Sequence, residues 1–378
     1  MRKSASQPFA SILFFPVATT YGAIVLPWSV LGQFGLLSAP EGLRGALGHA
    51  HEMVYGFALA VVAGYVLGPQ PRRWLGALLF LWSVSRISFL GWPGSYLSAS
   101  LNILFVSLLA YKVVPRFAGA RKWRNKTLAP ILFGLCLAAG VFQFFLLAGN
   151  TAGALGLVVE AILLLSALMF FMSGRMLAPA IATHLVKQDR ELQARLQPQL
   201  EGYVLVLLGM AVAASLFPGE IFRFSVGLLL VAAAGVALVR LARWPIGRCL
   251  DRPDLMALIA GYGWLVVGWS VIGAALLTQA IPLSTALHGI TVGALGSLTL
   301  TVMARSQAQR TRKNANVAPG IYLTVGLISV AAVARILGGT WVPGIPMHLL
   351  AAFSWSAAFL ILLAFLVLYR RKPVQPLR

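Results

Sequence analysis

Carboxylates are scarce in this chain, with nine Asp and Glu against thirty Lys and Arg among 378 residues. Charged residues of both signs together reach only 10%, where a water-soluble domain carries about 25%. An ordinary soluble fold is therefore excluded. There are only two cysteines, Cys136 and Cys249, which supply neither a disulfide framework nor the CxxC spacing of a zinc site. Also missing are a Gly-rich phosphate loop, a nucleotide fingerprint, a GxSxG elbow and an HExxH helix. Hydrolases and ATP-driven pumps lose support with them.

What is abundant is apolar sequence, at 59% hydrophobic residues and a mean hydropathy of +0.86. A window of about 20 residues, the length that crosses a hydrocarbon core of about 30 Å, finds about twelve candidate spans. They lie near 10–32, 48–68, 74–91, 96–114, 127–148, 152–173, 201–217, 221–240, 255–278, 283–304, 319–339 and 347–369. The expected fold is all-α, a polytopic integral membrane protein forming one helical domain over 1–378, with no internal repeat. The opening MRKSASQPFASILFF has a basic start, but the apolar run continues past Pro16 and Pro27 with no small-residue cleavage site. It reads as the first span and not as a removed signal peptide.

If the amino terminus is cytoplasmic, 26 of the 30 basic residues fall on that side, leaving Arg44, Arg86, Arg223 and Arg335 elsewhere. The net charge of +21 then expresses the positive-inside rule, both termini are cytoplasmic, and no nucleic-acid partner is needed beside the lipid bilayer. The two longer connections, near 115–126 and 174–200, are basic, and the second could hold a surface amphipathic helix.

Chemistry is densest in Gly48 to Gly68, GHAHEMVYGFALAVVAGYVLG. At about 100° per residue, His49, Glu52, Met53, Gly56, Ala60 and Gly64 share one helical face, while His51 and Tyr55 project from another. Small residues beneath a ligand admit either a neighbouring helix or a flat ring. His288 in the tenth span, followed by Gly289, Gly293 and Gly296, repeats the arrangement, and His348 opens the twelfth span. With the orientation above, these four histidines lie toward the outer face and only His184 lies on the cytoplasmic side, where it is expected to be solvated.

A neutral imidazole is the usual protein ligand for haem iron and for copper, and two on facing helices hold a haem between them. His49 and His288 are the preferred axial pair; the bland reading is interfacial histidines over tightly packed helices. His51, with Glu52 and His348, is a candidate second metal or haem site, and Glu52 could accept the His51 ring N–H. Arg86 and Arg335 are charges within spans and so candidate functional groups. A guanidinium matches a haem propionate; the alternative is snorkelling to the headgroups. Glu160, in the middle of the sixth span, suits either a proton relay or an interhelical hydrogen bond.

The segments HAHEMVYGF, LWSVSRISF, ARKWRN, GRM, GYGW and ALHGITVGALGSLTLTVMAR, in that order and spacing, resemble the NnrS family over nearly the whole chain. The resemblance implies a bacterial inner-membrane protein containing haem b and copper, tied to nitric oxide metabolism, denitrification and nitrosative stress. It implies nitric oxide or a related small ligand as partner, with a quinol or cytochrome as electron donor. Carried over, His49, His51 and His288 become metal or haem ligands, and Arg86 and Arg335 family-type membrane arginines. The chain departs from the family pattern at Ile259 and Arg310, where the family often has histidines, so two possible ligands are missing and a copper site that used either of them is in doubt. A fainter similarity is to the catalytic subunit of haem-copper oxidases: His49 and Met53 match its ligand-to-methionine step, and His288 lies in the corresponding tenth helix. No histidine lies in the sixth or seventh span, so that similarity implies a haem site without the dinuclear centre. Whether the protein is an oxidoreductase stays open. Two rivals remain, a secondary transporter working through Arg86, Glu160 and Arg335, and a cofactor-free membrane assembly protein.

Overall fold

A long apolar stretch in a bilayer must satisfy its backbone within itself, so each becomes a helix. The computed structural model describes residues 7–187, 197–312, 317, 320–341 and 344–370. It is 84% helical, with no strand among the described residues. Twelve helices are long and apolar enough to span a membrane: α1 Ser11–Gln33, α2 Ala46–Val66, α3 Arg72–Gly91, α4 Tyr96–Ala118, α5 Leu128–Leu147 and α6 Thr151–Val186, then α7 Pro198–Ser215, α8 Glu220–Ala242, α9 Pro253–Thr278, α10 Leu283–Thr311, α11 Ile321–Gly338 and α12 Ile345–Leu368. The expected spans are all present. Their ends agree within a few residues except where α6 and α10 run on.

The overrun of α6 corrects two expectations. Residues 174–186 continue the sixth span instead of forming a separate surface helix, because Leu177, Ala178, Ile181 and Leu185 keep a buried face going. His184, expected in solvent, is consequently only 6% exposed. Its Nε2 lies 3.0 Å from Asp251 Oδ1 and 3.2 Å from the Arg248 carbonyl. The remainder of the 174–200 connection, residues 188–196, lies outside the described residues, as do Arg2, Lys3, Arg190, Arg195, Lys313, Arg371, Lys372 and Arg378 of the sidedness argument.

Contacts gather the chain into two compact units, Met1–Leu164 and Leu165–Arg378. In the first, α1 packs along α2, and α4 lies between α3 and α5. Gly68 and Gly149, at φ of 65° and 69°, end α2 and α5 in the left-handed region that suits a residue without Cβ. In the second unit, α9 neighbours both α8 and α10, and α11 pairs with α12.

The helices that carry His49 and His288 both break their α register just past the histidine. In α2, the α-turns Ala46–His51 give way to a π-helical stretch, Glu52–Ala58, before α geometry resumes. In α10, the π stretch is Gly289–Ala294, directly after His288. Wide turns of this kind are rare and collect at functional sites.

Candidate functional site

Packing resolves the small-residue faces first. A Cβ on Gly64 would come within 2.8 Å of Phe15, one on Gly293 within 2.5 Å of Trp264, and one on Gly296 within 2.8 Å of Ile328 and Trp355. On Gly289 it would meet Gly268 Cα at 2.8 Å. Neighbouring helices thus fill these stripes, as α1 does for α2 and α9 for α10. A flat ring has no room along these stripes, so any ring held by His49 or His288 would have to lie at the half-buried helix mouths instead.

The π stretch of α2 turns Glu52 into the interior of the first unit, where it is fully buried. A carboxylate there is tolerable only with partners, and it has three. Oε1 accepts from Arg86 Nη1 at 2.9 Å and from His51 Nδ1 at 2.8 Å, and Oε2 accepts from the Tyr21 hydroxyl. Arg86 continues outward to Asn102, whose Oδ1 accepts from Nη2 and whose Nδ2 donates to Ser98 O at 2.9 Å. On the other side, Gln143 Nε2 donates to His51 Nε2 at 2.9 Å. Five helices, α1 to α5, therefore meet in one buried polar chain.

Within it, His51 is completely buried and stacked on Phe89, with ring centroids 3.6 Å apart. Its Nε2 accepts from an amide N–H, so the ring proton sits on Nδ1, toward Glu52. Both ring nitrogens are engaged by protein. Met53 is buried in the same π stretch, and Trp82 Nε1 donates to the Gly56 carbonyl in its middle at 3.1 Å. Tyr55 reaches to the Leu157 carbonyl of α6 at 2.8 Å, one turn before the buried Glu160.

His49 is held differently. Its Nδ1 is 3.2 Å from Ser29 Oγ, which donates to Leu43 O at 3.3 Å and accepts from Gln33 Nε2 at 3.1 Å. A hydroxyl has one proton to give, so Nδ1 is the donor to Ser29 and the imidazole lone pair lies on Nε2. The ring is half-buried at the mouth of α2.

In the second unit, His288 is likewise half-buried at the mouth of α10, and its Nδ1 donates to Ser284 O at 2.6 Å. A carbonyl only accepts, so here too the lone pair is on Nε2. Anchoring of one imidazole nitrogen by a backbone or side-chain acceptor is the usual support of a metal-binding histidine. His348 shares the anchor, Nδ1 to Gly344 O at 2.9 Å, but its Nε2 accepts from Arg335 Nη1 at 3.0 Å. Its lone pair is spent.

The eight residues singled out from sequence thus divide. Glu52, His51 and Arg86 are brought together, and so are Arg335 and His348. Met53 lines the first group. His49 and His288 belong one to each unit and share the same anchored geometry. Tyr21, Asn102 and Gln143 complete the buried chain and were not anticipated; the signal was the isolated amide in SLNILF and in VFQFFL, each costly in an apolar span without a partner. Among the described residues no three His, Cys, Asp or Glu stand close enough to hold a metal ion. With His51, Glu52 and His348 spent on protein partners, and Ile259 and Arg310 in place of histidines, these side chains do not fit a copper centre.

The family model described as NnrS protein matches residues 6–372, nearly the whole chain. None of the curated proteins matches it.

Proposed function

Because the chain belongs to the NnrS family, and so is at family level a nitric-oxide-associated membrane protein, we propose that it binds haem b and handles nitric oxide or its iron adducts through it. His49 and His288 are the proposed iron ligands. The observation that carries the reading is their common geometry: each stands half-buried at the mouth of its helix, with Nδ1 committed to a protein acceptor, just ahead of a π stretch. Among the described residues, α2 and α10 alone join such a histidine to a π stretch.

Haem b held by these histidines would supply reversible iron redox chemistry, and a diatomic ligand would gain a seat on it only where one of them gives way. The chain's own residues do the rest. Ser29 and the Ser284 carbonyl fix the tautomer and orient the rings. Glu52, held by Arg86, keeps a fixed negative charge a turn from His49, and the run from Tyr21 through Glu52 and His51 to Gln143 offers a continuous hydrogen-bonded chain in the bilayer. A quinol or cytochrome donor fits the redox form of the reading.

The deciding experiment is a dithionite-reduced minus oxidised spectrum of purified protein expressed with haem supplied, repeated with nitric oxide and on His49→Ala and His288→Ala. The expected result is a b-type spectrum that is shifted by nitric oxide and lost in each variant. A colourless wild type would overturn the reading and leave a secondary transporter built on the buried Glu52–Arg86 pair as its successor.

A further inference from the structure

Between α4 and α5 the first unit carries an open groove of about 210 Å³, larger than the ~150 Å³ apolar cavity that accepts a benzene ring. Ile103, Val106 and Ala110 wall it from α4, and Phe133, Gly140 and Phe144 from α5. The two phenylalanines are 53% and 62% exposed. The groove owes its depth to Gly140, where an added Cβ would meet only Val106 Cγ2, at 3.9 Å.

The segment that joins these two helices is residues 119–127, GARKWRNKT, which contains no carboxylate. Arg121, Lys122 and Lys126 are exposed on it, and among the described residues none accepts a hydrogen bond from their side chains. Nearby cations are committed elsewhere. Lys112 Nζ lies 5.3 Å from the centre of the Trp74 ring, and Arg116 Nη1 donates to the carbonyls of Val66 and Leu67 at 3.1 Å each.

We propose that this is a binding site for one anionic phospholipid, with an acyl chain in the groove and the phosphate against Arg121, Lys122 and Lys126. At 1.5 Å per residue, the near end of the groove, Ala110 and Phe133, lies about 12 and 8 Å from the helix ends that the loop joins, and its far end, Ile103 and Phe144, about 22 and 24 Å; one leaflet of hydrocarbon is about 15 Å deep. A tail whose phosphate rests on the loop therefore enters the near half of the groove. The positive-inside rule accounts for a basic loop; it does not account for an apolar groove between the very helices that loop connects. Each basic side chain near the surface adds to the attraction for an anionic headgroup.

The test is native mass spectrometry of the full chain after exchange into detergent with phosphatidylglycerol or phosphatidylcholine of matched acyl chains. Wild type is expected to retain phosphatidylglycerol at least about tenfold more than phosphatidylcholine. Arg121→Gln/Lys122→Gln/Lys126→Gln should abolish that preference, and Gly140→Trp, which fills the groove from its open side, should reduce retention of both lipids. Arg72→Gln/Arg73→Gln, in the first turn of α3 and outside the segment that joins the groove helices, should behave as wild type. Equal retention of the two lipids by wild type, or a preference that survives the triple substitution, would overturn the proposal. Neither readout depends on a cofactor, so the outcome is independent of the haem reading.

Discussion

Arg86 Nη1 and Glu52 Oε1, 34 residues apart in sequence, meet at 2.9 Å with the arginine 2% and the glutamate 0% exposed. The pair ties the middle of α3 to the π stretch of α2. In a bundle that excludes water, each charge is tolerable only because of the other.

Arg86→Leu should therefore be more damaging than its size suggests, because it leaves Glu52 buried with only neutral partners. The expected loss is about 3–5 kcal/mol, and Glu52→Gln should cost a comparable amount, because it leaves the Arg86 guanidinium buried without its counter-charge. The double variant should recover part of the Arg86→Leu loss, since no unpaired charge remains. Unfolding of the detergent-solubilised protein, followed by fluorescence against temperature and denaturant, measures all three. An Arg86→Leu protein as stable as wild type would mean that the pair is not held as described.

The twelve spans were legible because length and hydropathy decide them, and the arginine in α3 did not prevent its recognition. The extension of α6 was hidden, since the window sees Arg175 and stops while Leu177, Ala178, Ile181 and Leu185 continue a buried face. His184 was misjudged for the same reason. At the site, His49 and His288 stood out by residue type and position, and Glu52 by its place beside His51. Tyr21, Asn102 and Gln143 did not, because partners on other helices are chosen by packing. Nor do the π stretches announce themselves, as EMVYGFA and GITVGA fit an α-helix equally well. The glycine stripes were ambiguous in sequence for a physical reason: a helix and a flat ring ask for the same absence of side chain.

Those stripes give a second prediction. Gly289→Val would drive a Cβ to 2.8 Å from Gly268 Cα, backbone that cannot swing aside as a side chain can. Gly263→Val, on the same α9 as Gly268 but with nothing within 4 Å of its Cβ position, is the matched control. Overpacking of this kind costs about 1–3 kcal/mol or more. Gly289→Val should lower the melting temperature by several degrees, and Gly263→Val should leave it near wild type. Equal melting of the two would contradict the close approach of α9 and α10.

Cys249, in the connection between α8 and α9, is fully buried. Burial first, and then the negative charge of Asp251, push its thiol above the ordinary range. A raised pKa keeps the group protonated, and the thiolate is the reactive form. In a Cys136→Ala background, labelling by a maleimide at pH 8 should be slow for native protein and fast after denaturation, with the native rate still rising at higher pH. Rapid labelling of native protein that no longer changes above pH 8 would show an ordinary or lowered pKa instead.

His348 separates geometry from residue type. It opens its helix as His288 does and donates its Nδ1 proton to a carbonyl four residues back, as His288 does. The difference is Arg335, whose Nη1 donates to the His348 Nε2 at 3.0 Å. A lone pair held by a guanidinium N–H cannot also bind iron. His348→Ala should therefore keep the b-type absorption per mole of protein, while His288→Ala loses most of it. Arg335→Leu should likewise keep the absorption. Haem extracted as its pyridine complex, normalised to protein that elutes as a single folded species, gives the ratio. If His348→Ala lost as much haem as His288→Ala while remaining folded, His348 would be a ligand and the distinction drawn from Arg335 would fail.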